Sequence, residues 1–422
     1  MHKLLITSSL VRATGIATSF LLSIIISRHY GSEILGQYSV FIATITILSV
    51  FCKMGTETAL IKLVANIATK NNTPSMLGGS ITTAILAGII LSIATVMTDL
   101  TPVSLRSRAI DIAVFSLTVI FFSINGILSS IIFGMKKSTE GTAVQFTLDK
   151  VLLLILITLT LALISENHFS SLIQLYFLSI LITCSTALLF LIKSFGKEII
   201  LLRPLKHFNF SERKHYLLQN ASSVIMNNLD VIVISIIIDN LTAAFYAVAL
   251  RISMLSVIFL SVANSILSPH IHKLFIENNI FKLGNLLSKS ALLTTIPSIL
   301  AALVFYFFGN EILKLWGKEY TEAYITLLLL ALIQVVNSLF GSVGLALTMA
   351  NQHKKVSQIM LILSPVHVIT SIVFTHEYGS QGTAISYGIA MLTMNILCAI
   401  SLKKAMNINI NPIYFLNRSR LR

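Results

Sequence analysis

Five charged residues stand inside otherwise apolar stretches of this sequence: Arg12, Asp149, Lys150, Asp230 and Arg251. A charge at mid-membrane costs roughly 2.5–3.5 kcal/mol on insertion scales, on the order of 12–17 kcal/mol for five before compensation. Residues kept at that cost pair with one another, carry a proton or cation, or attract an anion. Spacing adds a second clue. Ser8, Arg12, Gly15, Ser19, Ser23 and Ser27 recur every three or four residues, and so do Asn220, Ser223, Asn227 and Asp230. Thr142, Gln145 and Asp149 do the same. On a helix each set forms one stripe. The serines suit close helix packing, whereas the stripes with Arg12 and Asp230 suit a polar cavity. Asn125, Gln334 and Asn337 either line such a cavity or bond neighbouring backbone.

Depth suggests partners. Asp230 precedes a turn near residue 240 by about ten residues, and Arg251 follows it by about eleven, so both lie roughly 15 Å deep. An Asp230–Arg251 ion pair is one expectation. Arg12 and Asp149 both lie about eight residues from the opposite side, and an Arg12–Asp149 pair is the other. A structural pair and a transport role remain compatible, because a pair can break during transport. Other chemistry finds less support. Pro269-His270-Ile271-His272 has no further ligand spacing, so no metal site is expected. His367, near Pro365, reads as a packed or partly wet histidine in a kinked helix. No Walker A, GxSxG, HExxH or DxD pattern occurs, so neither an ATPase nor a hydrolase is expected. The only cofactor-like requirement foreseen is a proton or sodium gradient.

These residues must be positioned by membrane helices. The chain has 422 residues, 55% hydrophobic and 11% charged, with mean hydropathy +0.88. A soluble globular surface needs about 25% charged residues, and disorder needs low hydrophobicity. A polytopic membrane protein remains. Apolar stretches predict twelve spans, at about 4–28, 34–53, 76–97, 109–133, 141–164, 170–192, 217–238, 242–267, 286–308, 321–349, 355–375 and 381–402. Residues 55–70 read as an amphipathic continuation of the second span. Barrel strands would be about ten residues long with strict alternation. The run Leu4–Ile26 is too long for a signal-peptide core and serves as the first span. Cys52, Cys184 and Cys398 are scattered among apolar residues and read as inert.

The net charge of +14 would suggest nucleic acid in a soluble protein. With the N-terminus inside, 22 of the 30 Lys and Arg fall on the cytoplasmic side and 5 on the outer side. That bias predicts both termini in the cytoplasm. The expected organisation is a six-helix bundle at 1–192, a basic cytoplasmic linker at 193–216, a second six-helix bundle at 217–402 and a basic tail at 403–422. Weak similarity at an offset of 208 pairs Gly36-Gln37-Tyr38-Ser39-Val40 with Ala244-Phe245-Tyr246-Ala247-Val248. Duplicated six-span halves imply a pseudo-two-fold axis along the membrane normal and a cavity between the bundles.

Four segments carry a family resemblance: SRHYGSEILGQYSVFIATI (27–45), NNLDVIVISIIIDNLTAAFYAVALRI (227–252), FGNEILKLWGKEYTEAY (308–324) and YGSQGTAIS (378–386). Together they resemble the polysaccharide-transporter branch of the multidrug/oligosaccharidyl-lipid/polysaccharide exporter superfamily, and most of all its O-antigen flippase type, often called Wzx. Ala244 departs from the glycine usual before the tyrosine. The resemblance implies an all-α, MATE-like fold and a non-enzymatic transporter in the bacterial inner membrane. It implies a flippase for undecaprenyl-diphosphate-linked oligosaccharide, working by alternating access, with polymerase and other glycan-assembly proteins as partners. Asp230 and Arg251 match the family's seventh- and eighth-helix pattern, and Arg12 matches a basic residue in the first helix of related flippases. On this reading Arg12, Lys150 and Arg251 attract the diphosphate, Asp149 or Asp230 couples an ion, and Asn220, Asn227, Asn125 and Asn337 line the cavity. A multidrug or cation antiporter of the same superfamily is the main alternative, and a polysaccharide polymerase or ligase another. The latter predicts a large outer loop, and none exceeds about 15 residues.

Overall fold

The computed structural model describes residues 2–65, 73–97, 109–163, 168–195 and 210–406. Regular structure in them is entirely helical. That follows from the composition: in hydrocarbon every backbone N–H and C=O must be satisfied within its own segment. Two compact units form, Met1–Asn228 and Leu229–Arg422. The first contains α1 (His2–Tyr30), α2 (Ser32–Lys53), α3 (Thr56–Ala65), α4 (Thr73–Met97), α5 (Ala109–Gly134), α6 (Ser138–Phe146), α7 (Leu148–Leu163) and α8 (Phe169–Phe195). α9 (Phe210–Ile237) begins in the first unit and ends in the second. The second continues with α10 (Asn240–Ser253), α11 (Ile258–Ile276), α12 (Ile280–Leu313), α13 (Tyr324–Phe340), α14 (Val343–Met349) and α15 (His353–Met406).

The division therefore falls inside a helix, whereas the sequence places it in the linker 193–216. The linker lies mostly outside the described residues. What ties the start of α9 to the first unit is α3: Lys62 Nζ donates to Tyr216 Oη at 2.7 Å and sits 4.8 Å above its ring. Gly55, just before α3, lies against the Arg213 carbonyl.

Ten helices among the described residues are long and apolar enough to cross a membrane. The last, α15, has 54 residues, about 80 Å if straight. It breaks at Gly379, with φ 63° and ψ −148°, which favours a residue without a side chain. Beyond the break the chain doubles back. Thr375 pairs with Thr383 at 2.7 Å and Thr370 with Ser386 at 2.8 Å, each pair roughly equidistant from the turn. α15 is thus a helical hairpin supplying two crossings. α6 and α7, bent by 44° at Thr147, together supply another. Counted in this way, the described residues supply twelve crossings, one for each span expected from hydropathy.

The breaks differ from expectation. Residues 55–65 are not a continuation of α2, because Met54 (φ 46°) and Gly55 (φ 74°) turn the chain and start α3 afresh. The eighth span is interrupted by a 3-10 turn at Met254–Val257, and the tenth by Gly341 at φ 60°. In the eighth, Ser298 of α12 donates to the Ser256 carbonyl at 2.7 Å and so serves backbone near the break.

Surfaces confirm the solvent. Leu86, Ile89, Ile90 and Ile93 of α4 are exposed, and so are Leu293, Ile296, Leu300, Leu303 and Phe307 of α12. Both sets follow helical spacing and form continuous apolar stripes. In water such patches would drive association; in a bilayer they are the lipid-facing exterior. Hydroxyls inside the spans mostly bond their own helix, as Thr44 does to the Val40 carbonyl and Thr183 to that of Ser179, both at 2.8 Å.

Candidate functional site

The best-developed polar centre lies in the second unit. α9 reaches its end at Ile237 seven residues after Asp230, so the carboxylate sits about 10 Å below the turn. Asp239 caps the next helix, accepting from Thr242 N at 2.6 Å. That sharp reversal brings α10 back alongside α9 and sets Tyr246 opposite Asp230. Tyr246 Oη donates to Asp230 Oδ2 at 3.0 Å. α15 supplies the other oxygen's partners: Ser371 Oγ donates to Oδ1 at 2.8 Å, and His367 Nε2 lies 3.2 Å from it. The imidazole N–H is not aligned for a full hydrogen bond to that oxygen. Asp230, Tyr246, Ser371 and His367 are all buried. His367 Nδ1 meets Ser386 Oγ at 3.3 Å, and Ser386 meets Thr370. Tyr387 packs edge-on against the His367 ring at 6.5 Å. Next to this cluster Asn337 Nδ2 donates to Gln334 Oε1 at 3.3 Å, and Asn395 Nδ2 donates to Asn337 Oδ1 at 2.9 Å. The cluster thus sets a buried carboxylate beside an imidazole, with two hydroxyls bonded to its oxygens.

No Asp230–Arg251 ion pair is found among the described residues. Asp230 has both oxygens occupied from α10 and α15, and Arg251, half-buried in the last turn of α10, is itself engaged. His367 is the residue whose role the sequence underrated. Its Pro365 and apolar surroundings hid the fact that it faces an acid 137 positions earlier.

In the first unit α1 crosses the bend between α6 and α7. Gly15 makes this possible, since a Cβ there would come 2.5 Å from the Phe146 carbonyl. Thr147 Oγ1 donates to the Val11 carbonyl at 2.9 Å, and Lys150 Nζ to the Phe146 carbonyl at 2.8 Å. Lys150 also lies 3.4 Å from Asp149, which is buried. Arg12 does not pair with Asp149. It is exposed, with its guanidinium 5.1 Å from the Phe146 ring centroid. The three bases expected to act together therefore differ. Lys150 is committed to the bend, Arg251 is half-buried and engaged, and Arg12 has no carboxylate within ion-pair distance among the described residues.

The asparagines scatter. Asn125 is buried and donates to the Val144 carbonyl at 3.1 Å, which favours backbone support. Asn227 is exposed and bonds the Ser223 carbonyl at 2.6 Å. Asn220 is half-buried. Asn337 is the one that joins a side-chain network. Two acid sites, one half-buried and one buried, escaped the sequence. Lys53 and Glu57 form an ion pair of 2.9 Å across the α2–α3 turn. Asp111, in the first turn of α5, accepts from Ser170 Oγ at 2.7 Å. Both lie at span ends, where a charge looks solvated in sequence.

Comparison with known proteins bears on this geometry. The family described as polysaccharide biosynthesis protein matches residues 5–275. A probable low-salt glycan biosynthesis flippase of Haloferax volcanii is 22% identical over 205 residues, 48% of this chain. The chain spans only 42% of that relative's length. Among solved structures, the lipid II flippase MurJ in an inward closed conformation gives a TM-score of 0.72 at 15% identity, covering 96% of this chain and 88% of its own. An inward-facing multidrug resistance MATE transporter of the MOP superfamily gives 0.71 at 14%, covering 94% and 98%. A MOP transporter from Pyrococcus furiosus gives 0.63 at 14%, covering 96% of each chain. At these identities the likeness is one of fold, and the fold is that of the MATE and MurJ structures.

Proposed function

The chain belongs to the polysaccharide biosynthesis protein family, and from that premise we propose that it is a flippase for an undecaprenyl-diphosphate-linked oligosaccharide. The substrate proposed is an O-antigen repeat unit, moved across the bacterial inner membrane by alternating access. The similarity to a glycan biosynthesis flippase supports the activity class. The observation that carries the substrate is Arg12: a guanidinium in an apolar helix, exposed and without a carboxylate partner among the described residues. An uncompensated cation at that depth costs energy until an anion meets it, and a diphosphate matches the fork of its N–H donors. Arg251 is the second base proposed to meet the headgroup.

Energy coupling is proposed at Asp230, with a proton as the ion. His367 supports this choice, because it places an ionisable ring 3.2 Å from the carboxylate. Protonation of the pair would change the charge buried in the second unit and so bias it between two packings.

Complementation of a flippase-null strain tests the reading. Arg12→Gln is expected to abolish surface polysaccharide at normal protein levels, Arg12→Lys to retain part of it, and Asp230→Asn to abolish it. Full complementation by both Arg12→Gln and Asp230→Asn would refute the site. Resistance to cationic drugs without polysaccharide rescue would favour the multidrug alternative.

A further inference from the structure

One end of the first unit gathers lysines around a partly open cavity of about 500 Å³, lined by Met135, Lys137, Phe190, Lys193 and Ser194. α5 ends at Gly134 and α8 at Phe195, so the cavity lies at the ends of two spans, at the depth of lipid headgroups. Lys136 takes a left-handed conformation, φ 62°, in the turn between α5 and α6. The next side chain, Lys137, then reaches α8 and places its ammonium 4.5 Å from the centroid of the Phe190 ring. Lys193 follows Phe190 by three residues and so lies on the same face of α8.

Two ammonium groups thus share one small cavity with an aromatic ring and a thioether. Among the described residues neither is ion-paired; Glu140, exposed in the first turn of α6, bonds neither. No side chain caps α6, whose N–H groups add to the positive potential beside Lys137. Two cationic side chains lining one cavity favour an anion there. The apolar floor of Phe190 and Met135 selects an anion that carries hydrocarbon.

The geometry points to a binding site for the headgroup of an anionic phospholipid in the adjoining leaflet. Lys137 and Lys193 hold its phosphate, and Phe190 and Met135 pack against its glycerol and first methylenes. The site needs neither the flippase reading nor the Asp230 centre.

Native mass spectrometry of the full chain in detergent micelles tests it, with phosphatidylglycerol against phosphatidylcholine as probes. The protein is expected to retain phosphatidylglycerol preferentially. Lys137→Gln and Lys193→Gln should each weaken that binding about fivefold, and the double variant more than tenfold, without changing phosphatidylcholine binding. Lys136→Gln, beside the cavity but not lining it, should leave both unchanged. An undiminished preference in the double variant would overturn the site, as would an equal loss in Lys136→Gln. Full displacement of the lipid by millimolar inorganic phosphate would also overturn it, because the site would then be one for free phosphate. The unfolding midpoint of each variant separates lost binding from lost folding.

Discussion

Asp230 shows what an isolated residue reveals and what it hides. A charge in an apolar run is conspicuous, so this position was legible from sequence, as were Arg12 and Asp149. Its partners were not. Hydropathy carries no information on which face of α15 turns inward, and His367 and Ser371 lie 137 and 141 positions away. Depth matching suggested Arg251, but the caps and turns placed a phenol, a hydroxyl and an imidazole closer. Tyr246→Phe removes one hydrogen bond to this carboxylate while keeping the ring. The expected cost is about 1 kcal/mol, within the range of polar contacts in membrane interiors. A lowered unfolding midpoint in detergent would show it. A midpoint equal to wild type would mean that the phenol contributes nothing to holding the acid.

Elements were more legible than contacts. Twenty-residue apolar windows located every crossing, because the bilayer thickness sets that length. Breaks within crossings went unseen, since a 3-10 turn at Met254–Val257 or a bend at Thr147 leaves hydropathy unchanged. The Met54–Gly55 break is the sharpest case. Gly55 combines φ 74° with contact against the Arg213 carbonyl, so Gly55→Ala meets both backbone strain and a steric conflict. A loss of about 1–3 kcal/mol is expected, read as lower folded yield and a lower unfolding midpoint. Gly344→Ala in α14 is the control. Its added methyl group meets nothing within 4 Å, and helix propensity alone predicts an effect between neutral and about 1 kcal/mol stabilising. Equal behaviour of the two variants would remove the argument for the break.

At the scale of the molecule, the charge balance was the most informative quantity. Assigning 22 of 30 basic residues to one side turns +14 from a hint of nucleic acid into an expectation about orientation. With twelve crossings, a reporter at Gly317 is expected outside and one after Met406 inside. Alkaline phosphatase at Gly317 should be active and a fluorescent protein after Met406 should fluoresce; the reverse pattern would invert the molecule. The division inside α9 was not legible, because contacts such as those of Gly55 with Arg213 and Lys62 with Tyr216, which hold the start of α9 to α3, leave no mark on composition.

The partners of Asp230 also set a schedule for biosynthesis. Ser371 is made 141 residues later, about 7–28 s after the acid at ordinary translation rates of 5–20 residues per second. Through that interval α10 offers it only the phenol of Tyr246. The nascent second unit therefore reaches the bilayer with this buried carboxylate half-satisfied. Its early helices gain from waiting in the insertion machinery, or against a chaperone, until the hairpin around Gly379 arrives.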